Sequence, residues 1–207
     1  MNTDNLLLNV FNTLLKHFGK QNWWPAESKY EMIAGAILTQ NTNWKNVEKA
    51  LVNLKPSLNP KIIANMDNET LEDLIKPAGF FKSKANYLKN IFSFIEENGL
   101  DKLNNMDLFT LRNQLLSIKG VGKETADSIL LYVFEKPIFI VDTYTKRLFK
   151  KLGLPPFNAY DDYRSYIEKK LPKDIYIYNE FHALIVMYNK QKFNSNTDPL
   201  IVFQRNN

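Results

Sequence analysis

The stretch Leu115-Leu116-Ser117-Ile118-Lys119-Gly120-Val121-Gly122-Lys123-Glu124-Thr125-Ala126-Asp127 carries an apolar run into two glycines that flank a single apolar residue. Beyond it the spacing predicts a helix from Lys123 to Phe134, then an extended Ile138-Phe139-Ile140-Val141 that ends on Asp142. The paired glycines let the backbone turn sharply between two helices, because glycine accepts positive φ at little steric cost. Such a turn presents the first N–H groups of the second helix, whose partial positive charge holds an anion such as a phosphate. Leu115, Leu116, Ile118, Ala126, Ile129 and Leu130 supply the apolar contact between the two helices, and small Ala126 permits their close approach. The pattern is that of a helix-hairpin-helix.

Composition sets the frame around that motif. The chain has 207 residues, 44% of them hydrophobic, enough to bury one substantial core or two small ones. Lys and Arg number 27 against 22 Asp and Glu, a net charge of +5 that fits a polyanionic partner but identifies none by itself. The absence of cysteine excludes disulfides and thiolate metal sites, and His17 and His182 are the only imidazoles. No metal site and no cofactor are expected. Apolar runs such as Ile129 to Phe134 are too short to span a bilayer, and acidic Asp4 without a basic start argues against a signal peptide. The sequence reads as cytoplasmic, with no membrane contact.

The apolar periodicity is helical almost throughout. Leu7, Phe11, Leu14, Leu15 and Phe18 form one stripe, Tyr30, Ile33, Ala34, Ile37 and Leu38 a second, and Trp44, Val47, Leu51 and Leu54 a third. Asn59-Pro60 is a cap with proline at the first helical position. Pro77-Ala78-Gly79 breaks the pattern, after which Ala85, Leu88, Ile91, Phe92 and Ile95 mark a helix that stops at Asn98-Gly99. Another begins near Leu108 and enters the hairpin. One helix follows Asp142 and ends at Gly153, and two more run to about Lys192. Residues 193–207 have no period and are rich in asparagine, and their ends are expected to fray. Four extended residues make no sheet, so the fold class is all-α.

The segment 118–127, with Val141-Asp142-Thr143-Tyr144 after it, resembles the endonuclease III, or HhH-GPD, superfamily of DNA glycosylases. Gly79-Phe80-Phe81-Lys82-Ser83-Lys84-Ala85 and His182-Ala183-Leu184-Ile185 extend the likeness over nearly the whole chain. The resemblance implies two helical lobes, residues 22–134 forming a central one with the helix-hairpin-helix and residues 1–21 with 135–207 forming the other. It also implies that Asp142, twenty residues after Gly122, is the catalytic carboxylate of base excision on damaged double-stranded DNA by a monomer. Many relatives carry an iron–sulfur cluster on four cysteines, which this chain cannot hold.

The chemistry of that role is simple. Hydrolysis of an N-glycosidic bond needs its oxocarbenium-like sugar stabilised and a water placed on the far face, and one ionised carboxylate does both. Asp142 also reads as an ordinary N-cap before a helix, and the two roles are compatible. Relatives that also cut the backbone place a lysine two residues after the second hairpin glycine. Here that residue is Glu124, and Lys123 lies about 100° away around the helix, so the resemblance implies a glycosylase without lyase activity. As a first-turn acid, Glu124 is also simply favoured by the helix dipole.

In its remaining features the chain most resembles the type III 3-methyladenine branch of the family. Trp23-Trp24-Pro25, ordinarily core by composition, stand where the resemblance puts the base pocket, together with Glu124 and Lys190. A solvent-facing Lys190 is the simpler reading. Gln40 falls where the family inserts a residue into the duplex, or else is a polar helix end. Lys119, Gly120, Val121, Gly122, Lys123 and Thr125 are the expected phosphate-binding residues. Alternatives are a glycosylase for oxidised or mismatched bases, and a non-catalytic helix-hairpin-helix DNA-binding protein.

Overall fold

The computed structural model describes residues 5–24 and 26–203, which form twelve α-helices and no strand. In chain order they are α1 (Leu6–Phe18), α2 (Lys29–Leu38), α3 (Trp44–Leu54), α4 (Pro60–Asn65), α5 (Asn68–Ile75), α6 (Phe81–Asn98), α7 (Leu100–Asn104), α8 (Leu108–Ser117), α9 (Lys123–Tyr132), α10 (Thr143–Lys151), α11 (Tyr160–Lys170) and α12 (Ile175–Lys190). Among the described residues no helix is long and apolar enough to cross a membrane. The chain divides into two compact units, Met1–Trp23 with Lys136–Asn207, and Trp24–Glu135.

In the first unit α1 buries Leu7, Val10, Phe11 and Leu14 against α12, where the Phe11 ring meets Phe181 edge-on at 5.7 Å. The run 138–141 is extended but pairs with no strand. All four of its side chains are buried, and its backbone finds partners on α11 instead: the Phe139 N–H donates to Glu168 at 2.9 Å and the Val141 N–H to the Tyr160 hydroxyl at 3.2 Å. Buried N–H groups need such acceptors, and these deliver the chain to Asp142 in a fixed register.

The segment after α12 is tied to the helices before it. Buried Asp198 accepts the Tyr188 hydroxyl at 2.8 Å, the Leu200 N–H at 2.9 Å and the Lys151 ammonium at 2.6 Å. Phe193 stacks on Tyr188 with ring centroids 5.2 Å apart. One carboxylate thereby joins the C-terminal segment to α10 and α12. The last part of the run expected to fray, residues 204–207, lies outside the described residues.

The second unit is built on α2 and α6. Lys84 of α6 is buried, and its ammonium donates to the carbonyls of Leu38 at 2.8 Å and Ala78 at 2.9 Å and to the Thr42 hydroxyl at 2.7 Å. It therefore closes the C-terminal end of α2 onto the turn before α6, and burial pulls its pKa down to about 8. Helices α8 and α9 form the hairpin. Arg112 on α8 grips Asp127 on α9 with two contacts, Nε to Oδ1 at 2.6 Å and Nη2 to Oδ2 at 3.1 Å, both groups buried.

Between those helices the Val121 N–H donates to the Ile118 carbonyl at 3.0 Å, with Gly120 at φ +101°. A side chain there would also collide with the Tyr87 ring, 2.2 Å from the added carbon, so glycine is required twice over. Gly122 differs from expectation. Its φ of −85° suits any residue, and an added carbon would meet nothing within 4 Å. What Gly122 supplies is open space at the start of α9, a helix that no side chain caps.

Two stability predictions follow from these contacts. Arg112→Leu leaves a buried carboxylate without its guanidinium and is expected to cost about 3–5 kcal/mol in urea unfolding. The double variant Arg112→Leu with Asp127→Leu should recover much of that loss. For the turn, Gly120→Ala should lose more than about 1 kcal/mol, while Gly122→Ala stays within about 0.5 kcal/mol of the native protein. Equal effects of the two alanines would contradict the different roles of the glycines.

Candidate active site

Asp142 is the N-cap of α10, with extended backbone angles and one carboxylate oxygen committed to the helix. Its Oδ1 accepts the Thr145 N–H at 2.7 Å and the Thr145 hydroxyl at 2.9 Å. The other oxygen, Oδ2, lies 3.6 Å from Nε2 of His182 on α12, short of contact by hydrogen bond but well inside ion-pair range. Both side chains are largely covered, with 13% of Asp142 and 9% of His182 exposed. Burial by itself pushes the Asp142 carboxyl up. The His182 ring and the Thr145 donors outweigh it and hold the group below the usual carboxylate range. The positive end of α10 acts in the same direction. The result is a covered, ionised carboxylate with only one oxygen engaged by its own helix.

The hairpin residues divide by what their side chains do. Lys119, Gly122, Lys123 and Glu124 are exposed, and Val121 is buried beneath them. Thr125 does not face outward as a phosphate ligand should. It is buried, and its hydroxyl accepts the Gln40 side-chain amide at 2.9 Å. The same amide donates to the Gly120 carbonyl at 3.0 Å, and Asn90 donates to the Lys119 carbonyl at 3.0 Å. Gln40 and Asn90 thus pin both carbonyls of the turn. In this state Gln40 is a brace of the hairpin.

The tryptophan pair expected to act together separates between the two units. Trp23 belongs to the first, where the Lys190 ammonium sits 5.6 Å from its ring centroid, a cation–π distance. Lys190 is exposed at the last turn of α12. Trp24 belongs to the second unit and is half-buried. Its ring meets Trp44 at 5.3 Å and Tyr132 at 5.4 Å, and Gly35 of α2 leaves room for its edge. Pro25 lies outside the described residues.

Three residues join this picture that the sequence did not single out for the site. Trp44 read as part of an apolar helical stripe, Tyr132 fell unmarked within the helix after the hairpin, and His182 stood only as one of two imidazoles in the segment His182-Ala183-Leu184-Ile185. A cue existed for the aromatics: Gly35 in the interior of a helix costs about 1 kcal/mol against alanine, so its presence marks a close approach. For His182 no local signal exists, because its partner comes from a different helix.

Comparison with known proteins identifies the family. Residues 34–173 match the HhH-GPD superfamily base excision DNA repair protein family. The chain is 50% identical over 193 residues to the putative DNA repair glycosylase of Methanocaldococcus jannaschii, covering 90% of this chain and 88% of that one. It is 33% identical over 160 residues to endonuclease III of Sulfolobus acidocaldarius, covering 75% and 70%. Among solved structures, the H. pylori 3-methyladenine DNA glycosylase bound to 1,N6-ethenoadenine superposes with a TM-score of 0.78 at 31% identity, over 92% of this chain and 99% of that one. An endonuclease III–DNA complex superposes with a TM-score of 0.82 over 99% and 96%, a likeness of fold alone at 21% identity. Matched by the family over most of its length and by a relative half identical to it, the chain belongs to the HhH-GPD superfamily of base excision DNA repair proteins.

Proposed function

We propose that this DNA glycosylase hydrolyses the N-glycosidic bond of alkylated purines, 3-methyladenine foremost, in damaged duplex DNA, and that it does so as a monomer without cutting the strand. The observation that carries the chemistry is Asp142, ionised, covered and with Oδ2 left to act beyond its own helix. As the C1′–N bond breaks, its electron pair leaves with the purine and positive charge builds on the sugar. The carboxylate stabilises that charge, and the water oxygen that bonds C1′ passes a proton to it. A methylated purine already carries positive charge and departs neutral. No second acid is then needed.

Several features support the finer reading. The uncapped start of α9 and exposed Lys119 and Lys123 suit a phosphate of the duplex. Glu124 stands where lyase-active relatives have their lysine, and an anion there forms no Schiff base with the opened sugar. For the base, stacking on an aromatic face contributes roughly 1–3 kcal/mol, and a cationic purine gains a further cation–π attraction over tryptophan. Trp23, and the cluster of Trp24 with Trp44 and Tyr132, offer such faces. The H. pylori relative, alike over nearly its whole length, is a 3-methyladenine glycosylase.

Excision assays test both levels. Asp142→Asn keeps the size and capping ability of the side chain, so the protein should bind duplex DNA as before while excision slows on the order of a hundredfold or more. Unchanged turnover removes Asp142 from the reaction. On a panel of lesion-bearing duplexes, 3-methyladenine should be released much faster than uracil or thymine glycol, and borohydride should trap no covalent protein–DNA adduct. Efficient release of thymine glycol with none from methylated DNA would turn the assignment toward oxidised bases.

A further inference from the structure

We propose that His182 is the positioning residue of Asp142, holding the Oδ2 side of the carboxylate in its ionised state through an electrostatic pairing across 3.6 Å made from α12. This inference rests on the catalytic reading of Asp142 given above and adds to it the group that makes a covered carboxylate usable.

The geometry shows why the cap does not suffice. Thr145 provides two donors, and both go to Oδ1. That arrangement fixes one oxygen and leaves rotation and protonation of the other to whatever faces Oδ2. What faces it is the Nε2 edge of His182, at 3.6 Å and itself shielded from solvent. An N–H on that nitrogen points a donor at Oδ2, and a protonated ring adds a full opposite charge. Either form favours the carboxylate over the carboxylic acid. Because α10 and α12 pack against each other, the two side chains are presented to one another by helices in contact.

Other titratable and charged groups on the surrounding helices make contacts elsewhere, and Lys16 of α1 and Lys150 of α10 are exposed. On α12, Glu180 accepts the Gln21 N–H, Tyr178 packs on Phe139, Tyr188 donates to Asp198, and Lys190 lies over Trp23. On α10, Lys146 lies over Tyr163, Arg147 over Tyr144, and Lys151 pairs with Asp198. On α1, His17 packs edge-on against Phe18 and Phe193, and just beyond it Lys20 lies over Tyr176. His182 is thus the group that opposes the effect of burial on Oδ2.

The direction of the effect follows. Asp142 must be ionised to act, and its pKa lies below the ordinary value, so activity is present at neutral pH and is lost as pH falls through that lowered pKa. Removing His182 leaves burial opposed only by the Thr145 donors and the positive end of α10. The pKa rises and the acid limb of the pH profile moves to higher pH, each unit of movement being about a tenfold loss of ionised enzyme below it.

The test uses the full-length protein and four variants. The Asp142 carboxyl is followed by 13C NMR from neutral to acid pH, its signal identified by its disappearance in Asp142→Asn, and single-turnover excision from methylated duplex DNA is measured over the same range. In His182→Leu the Asp142 midpoint and the acid limb should both rise. His182→Asn, whose amide is too short to reach Oδ2, should behave like leucine, and it serves where leucine prevents folding. His182→Gln restores a donor near the Nε2 position and should return both readouts toward the native values. An Asp142 midpoint unchanged in a folded leucine or asparagine variant overturns the proposal, as does a glutamine variant that behaves like leucine. The NMR titration needs no substrate, so it decides the pairing even if methylated DNA is not cleaved. A midpoint that moves while the acid limb stays put overturns the role of Asp142 in catalysis and leaves the pairing intact.

Discussion

The paired contact between Arg112 and Asp127 is the constraint on which the hairpin depends. Two helices of ten residues each, joined by a short turn, bury apolar side chains such as Leu115, Ala126 and Ile129, whose contact is non-directional, and the guanidinium adds a planar, two-point grip. A buried ion pair adds little net stability over an apolar contact of the same volume. Its value here is geometric, since only one arrangement of α8 and α9 satisfies both contacts. The Gly120 turn then closes over Tyr87, and Gln40 and Asn90 take up the two turn carbonyls. With its carbonyls held inside, the turn presents the start of α9.

A similar economy governs Asp142. The requirement to cap α10 and the requirement for a reactive carboxylate would conflict if both oxygens served the helix. They do not conflict, because Thr145 offers its N–H and its hydroxyl to the same oxygen. Threonine at the third helical position is therefore a component of the candidate site, although it touches no reacting atom. Serine would offer the same donors with less rotamer restriction, whereas valine would keep the shape and lose the second donor.

Much of the fold was legible in the sequence because most helices are amphipathic and carry explicit punctuation. Asn59-Pro60 opens α4 as read, and Asp142 caps α10. Helices α5 and α7 were not legible. The first is eight residues of largely acidic and polar sequence, the second five, and neither spans enough turns to establish a period. At the site, the sequence pattern marked the hairpin and the family resemblance pointed to Asp142, but neither could tell why each glycine is there. Gly120 answers to φ and to a ring from another helix, Gly122 to neither. Adjacent Trp23 and Trp24 invited treatment as a pair, yet their contacts lie in different units. Residues such as His182, Trp44 and Tyr132 gain their meaning from neighbours distant in sequence, which no periodicity encodes.

The C-terminal segment shows how a chain without cysteine orders its last described residues. A buried carboxylate with three donors tolerates no loss of them. Asp198 meets the condition with a hydroxyl, a backbone N–H and an ammonium, drawn from α12, from its own segment and from α10. The desolvation of Asp198 is thereby offset by contacts that also tie down the C-terminal ends of the two helices bearing Asp142 and His182. Order in the tail and order around the candidate catalytic carboxylate are therefore supported by the same pair of helices, at opposite ends of α10.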